Sequence, residues 1–106
     1  MSVMNINTPT YKLSATTSNS SITLMPQDTL SSSVIVTVIG SGNVFLVSGV
    51  AAPTAVFPTS ATVPVNGQVV PAGSTYTLSK NVGDGFISGI TDTSTASVYI
   101  SVGSGE

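Results

Sequence analysis

The feature that most constrains this chain is the return of apolar side chains at every second residue. Near the C-terminus Ala96, Val98, Ile100 and Val102 alternate with Ser97, Tyr99 and Ser101. A β-strand sends successive side chains to opposite faces, so the run predicts a half-buried strand over Thr95–Val102. Tyr76 and Leu78 alternate in the same way with Thr75, Thr77 and Ser79, as do Tyr11, Leu13 and Ala15, then Ile22 and Leu24, with their neighbours. No window sets apolar residues three and four apart with caps and a charged face, so no long helix is expected. Composition agrees, with 15 Val and 15 Thr against a single Glu and no Arg, a bias toward strands.

Two segments are apolar on both sides. Val34, Val36 and Val38 share one face while Ile35 and Ile39 lie on the other, and Val44, Phe45, Leu46 and Val47 leave neither face polar. Such strands are covered on both faces. In a chain of 106 residues the second cover is expected from another subunit.

The punctuation is equally legible. Ser41-Gly42-Asn43 reads as a tight hairpin between the two doubly apolar strands. Asn66-Gly67 reads as a type I′ turn that pairs Val65 with Gln68, Pro64 with Val69, Val63 with Val70 and Thr62 with Pro71. Both prolines would face the ribbon's outer edges and stop further strand addition, making an edge flap. Asn81–Gly85 is a loop and Thr91–Ser94 a turn, and Ala51–Thr62, with Pro53 and Pro58, is a crossover loop. The expected fold is all-β: a single antiparallel β-sandwich or jelly-roll-like barrel of about seven or eight short strands. Residues 1–10, without alternation and carrying Pro9, read as an extended N-terminal arm, and residues 11–106 as one β domain.

Charge removes whole classes of function. Lys12 and Lys80 are the only basic residues and the net charge is −2, too few cations to neutralise phosphates, so no nucleic-acid partner is expected. A polybasic membrane contact fails likewise, and the longest apolar stretch, Val34–Ile39, is far short of the ~20 residues of a membrane helix. The N-terminus shows no basic segment followed by an apolar run, so no secretory signal is expected.

Chemistry is also hard to place. With no His and no Cys, the many serines lack a ready base, and thiolate or Cys-based zinc chemistry is absent. Gly40-Ser41-Gly42 and Gly103-Ser104-Gly105 are not followed by a helix, as a nucleophile elbow requires. Asp84 and Asp92 could be paired carboxylates, or with Asn81 a calcium site, but each sits in a turn-type sequence where Asp caps its own backbone. Gly83-Asp84-Gly85 does not run on into a phosphate-binding loop. Tyr11, Tyr76 and Tyr99 fall on different strands and read as cross-strand packing, not as a sugar platform. No catalytic residue, cofactor or metal is expected, and the chain reads as a non-enzyme.

Exposed strand edges are usually guarded by charge, yet Asp28 is the only charged residue between Leu13 and Ser79. A closed homo-oligomer, trimer or dimer, is therefore expected. The contact residues would be Met4, Ile6 and Pro9 on the arm, with Ile35, Ile39, Phe45 and Val47 on the doubly apolar strands.

One resemblance adds to this reading. Val70-Pro71-Ala72-Gly73-Ser74, Tyr76-Thr77-Leu78, Phe86-Ile87-Ser88-Gly89-Ile90-Thr91 and the closing run Ala96 to Glu106 follow one another as turn, strand, Ile-x-Gly-Ile strand and glycine-rich end. Together with Val44–Gly49, this resembles the small all-β virion proteins of tailed bacteriophages, over residues 34–106. The resemblance implies a capsid decoration (cement) protein on the virion surface, made in the host cytoplasm, that binds the major capsid protein and stabilises the head. The alternative it leaves open is a fibre or tail accessory domain that binds a receptor or glycan. It carries over no catalytic residue.

Overall fold

The structure, a computed structural model, describes residues 9–59 and 62–102. The strands are β1 (Thr10–Ala15), β2 (Ser20–Thr23), β3 (Ser33–Gly40), β4 (Val44–Gly49), β5 (Gln68–Val70), β6 (Thr75–Ser79), β7 (Phe86–Thr91) and β8 (Ala96–Val102). One 3-10 turn, Pro26–Leu30, is the only helical element among the described residues. The first sheet runs β1-β8-β3-β6 and the second β2-β7-β4-β5, with every pair antiparallel. Strand 1 thus pairs with 8, 2 with 7, 3 with 6 and 4 with 5. That is one long hairpin, its tip at β4–β5, wrapped so that its strands alternate between two sheets. The order is that of a jelly roll, built here as an all-β sandwich and not as a closed barrel.

Alternation decides what faces inward. Leu13 lies opposite Val98, and Val98 opposite Val38, so three apolar side chains cross the first sheet in one row. Tyr11, Ile100, Val36 and Tyr76 form the next row. Against them the second sheet turns Val44, Leu46, Val70 and Ile87, and these residues join one buried core. Gly89 sits where two leucines converge: a Cβ there would come within 2.7 Å of Leu13 and 2.9 Å of Leu46.

Three expectations about connections are corrected. Ser41-Gly42-Asn43 is not a hairpin turn, because β3 and β4 belong to different sheets; it is the corner by which the chain changes sheet. Asn43 fixes that corner: its backbone N–H and its Nδ2 donate to the Asp92 carboxylate at 3.0 and 2.9 Å, and its Oδ1 accepts from Ala72 N–H. Gly42 is pressed so close to the β7–β8 turn that a Cβ would stand 2.3 Å from the Thr93 carbonyl oxygen.

Asn66-Gly67 does not close a hairpin either. Residues 62–67 form no strand, and β5 pairs with β4 as Val44–Val70, Phe45–Val69 and Leu46–Gln68. Gly67 has φ +147° and lies against the Phe45 ring, where a Cβ would meet it at 2.5 Å. Residues 68–70, which the turn would have paired with 63–65, pair with β4 instead.

The third correction concerns the second cover of β4. It comes from the chain itself: the β4–β5 crossover folds across the outside of the second sheet. Phe57 packs on Phe45 with ring centroids 5.7 Å apart, Ala55 is buried, and Ser88 Oγ donates to the Pro53 carbonyl at 2.6 Å. Ala55 N–H also donates to Asn19 Oδ1 at 2.7 Å. Among the described residues the sandwich therefore has a third, thin layer on the side of the second sheet.

Candidate docking surface

With the second sheet covered, the outer face of the first is the broad surface that the described residues leave to solvent. Its rows follow from the register: Thr10–Ser101–Ile35–Thr77, then Lys12–Tyr99–Thr37–Thr75, then Ser14–Ser97–Ile39. Lys12 is the only charge in these rows. Hydroxyls pair across strands, Thr10 with Ser101 at 2.9 Å and Thr37 with Thr75 at 3.1 Å. Cross-strand Thr and Ser pairs of this kind hold a sheet face together without charge. Ile39 stands out of this carpet at 59% exposure, while Ile35 is half-buried between Ser101 and Thr77. The surface can desolvate cheaply for a surface facing water, because few full charges would have to be stripped.

The proposed contact residues are thus split. Ile35 and Ile39 share this face. Phe45 is 3% exposed, held under Phe57, and cannot reach a partner as the chain stands. Val47 is half-buried on the second sheet and borders a cleft of about 280 Å³ at the open end of the sandwich, between Val34, Val36 and Leu78 on one side and Leu46 and Ile87 on the other. Pro9 is exposed, but its carbonyl accepts from Val102 N–H at 3.0 Å, so pairing with β8 begins inside the segment expected to be an arm. Met4 and Ile6 lie outside the described residues.

The residues weighed for chemistry are not brought together. Asp84 and Asp92 flank β7, whose six residues at ~3.3 Å each separate them by about 20 Å. That is too far for one calcium ion or for a pair of glycosidase carboxylates, which stand at most about 9.5 Å apart. Asp92 caps its own turn, accepting from Thr93 N–H at 2.7 Å as well as from Asn43. Its carboxyl is held below the usual range, mainly by the Asn43 side chain. Asp84 is buried and accepts from Ser48 Oγ at 2.8 Å, which ties the β6–β7 loop to the second sheet. Tyr11 and Tyr76 are on the inner face of the first sheet and Tyr99 on its outer face, so no sugar platform forms.

Sequence reasoning missed two buried polar clusters, for which one-dimensional spacing carries no signal. Lys80, 8% exposed, folds inward and donates from Nζ to the carbonyls of Thr29, Asn81 and Asp84 at 3.0, 3.3 and 3.0 Å. Burial pushes its pKa down, against a smaller opposite pull from Asp84. Tyr11 Oη donates to Asp28 Oδ2 and accepts from Met25 N–H at 2.9 Å, anchoring the 3-10 turn to β1. The Tyr11 pKa is raised, first by desolvation and then by the Asp28 carboxylate.

That raised value gives a pH prediction. A group with a folded pKa above its unfolded value contributes stability below the unfolded value, here 10.0, and loses it as pH rises through the folded one. Wild type should therefore lose more stability than Tyr11→Phe between about pH 8 and about pH 11. Urea denaturation at the two pH values measures it, and parallel losses in the two proteins would refute it.

Compared with known proteins, the chain matches no family model, no curated protein and no solved structure.

Proposed function

We propose that this chain is a structural virion protein of the capsid-decoration type, which binds the major capsid protein through the outer face of its first sheet and stabilises the head. The observation that carries the proposal is the asymmetry of the sandwich. Among the described residues one outer face is sealed by the chain's own crossover, whereas the other presents Ile35, Ile39 and Tyr99 among hydroxyls with Lys12 as its lone charge. Two analogies lend support: the jelly roll recurs in viral capsid domains, although also in lectins and cupins, and residues 34–106 resemble phage virion proteins. In this reading the protein works at the capsid surface and carries no catalytic role.

The test uses particles purified from the virus that carries the gene. A copy number in the hundreds, read from band intensity against the major capsid protein, supports decoration; a dozen or fewer supports the fibre or tail reading instead. Binding to particles lacking the protein should survive ~0.5 M salt, since screening acts mainly on exposed charge pairs. Ile39→Lys should weaken that binding at least about tenfold, a cost near 1.4 kcal/mol, and leave the melting temperature almost unmoved because the side chain is exposed. Release by modest salt, or full binding by Ile39→Lys, would sink the proposed face.

A further inference from the structure

We infer that β6 is a dimerisation edge, on which a second copy of this chain adds its own β6 to make one continuous eight-stranded sheet. The inference is independent of the docking face proposed above, because it uses the rim of the first sheet and not its surface.

The four sheet edges differ in their protection. β1 carries Lys12, β5 is three residues long and ends at Pro71, and β2 has only four residues. Short, charged or proline-bounded edges are the ways natural sheets avoid recruiting another strand. β6, Thr75–Ser79, has five residues with no charge and no proline. The one cation beside it, Lys80, would be an ordinary edge guard if it pointed outward. It is instead folded into the protein and spent on three carbonyls.

The hydrogen-bond phase says which groups the edge offers. Lys80 N–H donates to the Ser32 carbonyl and Val38 N–H to the Ser74 carbonyl, so the even-numbered residues of β6 bond to β3. In an antiparallel ladder the bonded residues alternate with residues whose N–H and C=O point the other way. Thr75, Thr77 and Ser79 therefore aim their backbone groups at the open side.

This row is self-complementary. A two-fold axis through Thr77 pairs Thr77 with its own copy, Thr75 with Ser79, and Tyr76 with Leu78. The first two kinds of pair fall in the bonded positions, two hydrogen bonds to each pair. Tyr76 and Leu78 fall in the non-bonded positions, where opposed side chains approach more closely. Both lie on the inner face, Tyr76 at 37% exposure and Leu78 half-buried in the mouth of the cleft. The aromatic ring of each copy would cover the cleft mouth of the other. The outer face would meanwhile continue as hydroxyl against hydroxyl, Thr77 on Thr77 and Thr75 on Ser79. An isologous contact of this sort uses up both β6 edges after two subunits, and the ends of the joined sheet are then the β1 strands with their Lys12.

The chain has no cysteine, so a single introduced thiol is a clean reporter. Thr77→Cys sets two sulfurs across the axis on Cα atoms about 5.5 Å apart, within disulfide range. Mild oxidation should convert most of it to a covalent dimer, while Val82→Cys, exposed on the β6–β7 loop, should cross-link several-fold less. Light scattering of the full chain should give twice 10.6 kDa. Thr77→Pro removes an N–H that β3 does not use, and Thr77→Lys opposes two ammonium groups across the axis. Both should remain folded by circular dichroism and fall to the monomer mass. A wild-type monomer at concentrations up to about 1 mM would overturn the inference. So would folded Thr77→Pro and Thr77→Lys proteins that keep the dimer mass, or equal cross-linking at positions 77 and 82.

Discussion

Replacing Ile100 by alanine is expected to lower the free energy of unfolding by about 3–4 kcal/mol. Ile100 has no exposed surface and sits on β8, between Tyr11 on β1 and Val36 on β3. Both neighbours are held by ladder hydrogen bonds, so the walls of the site cannot collapse into the space left. The loss then includes a cavity as well as the transfer of the missing methylenes. Against a total of about 5–15 kcal/mol for a domain of this kind, that is a large share. The melting temperature should fall by roughly 12–25 °C. Ile39→Ala, at 59% exposure on the same sheet, should cost under about 1 kcal/mol. Paired urea and thermal melts measure both, and a small loss for Ile100→Ala would mean that the two sheets do not meet as described.

The second large effect is expected at Lys80. Lys80→Met keeps most of the stem but removes the ammonium; the Thr29 and Asn81 carbonyls still accept from Gly83 and Asp84 N–H, so of the three it is the Asp84 carbonyl that loses its donor. An unpaired buried acceptor costs about 1–3 kcal/mol when water cannot replace the donor. The cleft beside Lys80 admits some water, so a total of about 1–3 kcal/mol is expected. Hydrogen exchange locates the damage: the 3-10 turn and the Asn81–Gly85 loop should lose protection first, since Lys80 reinforces the Gly83 N–H bond to the Thr29 carbonyl that joins them. Uniform protection with unchanged stability would show that the Gly83–Thr29 and Asp84–Asn81 backbone bonds hold these segments without Lys80.

Period-two alternation was enough to place β1, β2, β6 and β8, because an inward face must be apolar wherever the strand falls. The doubly apolar pattern of Val44–Val47 correctly signalled two covers, but not their source. A run of Pro, Ala and Val from 50 to 59 has no periodicity, and only the folded sheet reveals that Phe57 reaches Phe45. The two failed hairpins have one cause. Asn66-Gly67 and Ser41-Gly42-Asn43 carry genuine turn chemistry, yet a jelly roll joins almost no strand to its sequence neighbour. Local turn signals therefore marked corners correctly and partners wrongly. On the docking face, Ile35 and Ile39 were visible as the second apolar face of the Val34–Ile39 strand. Its hydroxyl rows were not, since they exist only once β8, β3 and β6 lie side by side. The inward turn of Lys80 was hidden for the same reason: a lysine after a strand looks like an edge guard until three carbonyls gather round its nitrogen.

The wrapped-hairpin order also governs how the molecule comes into being. Thr10 meets Ser101 across 91 positions of chain, and even the tip pair, β4 with β5, must first close the loop from Val50 to Gly67. No ladder is available to a short stretch of chain acting alone, so loop entropy is spent before any pairing returns it. Refolding should consequently be slow for a chain of this size, in the millisecond-to-second range of β topologies dominated by distant contacts. The last strand, β8, is bonded on both sides, to β1 and to β3, so it cannot peel away without breaking two ladders at once.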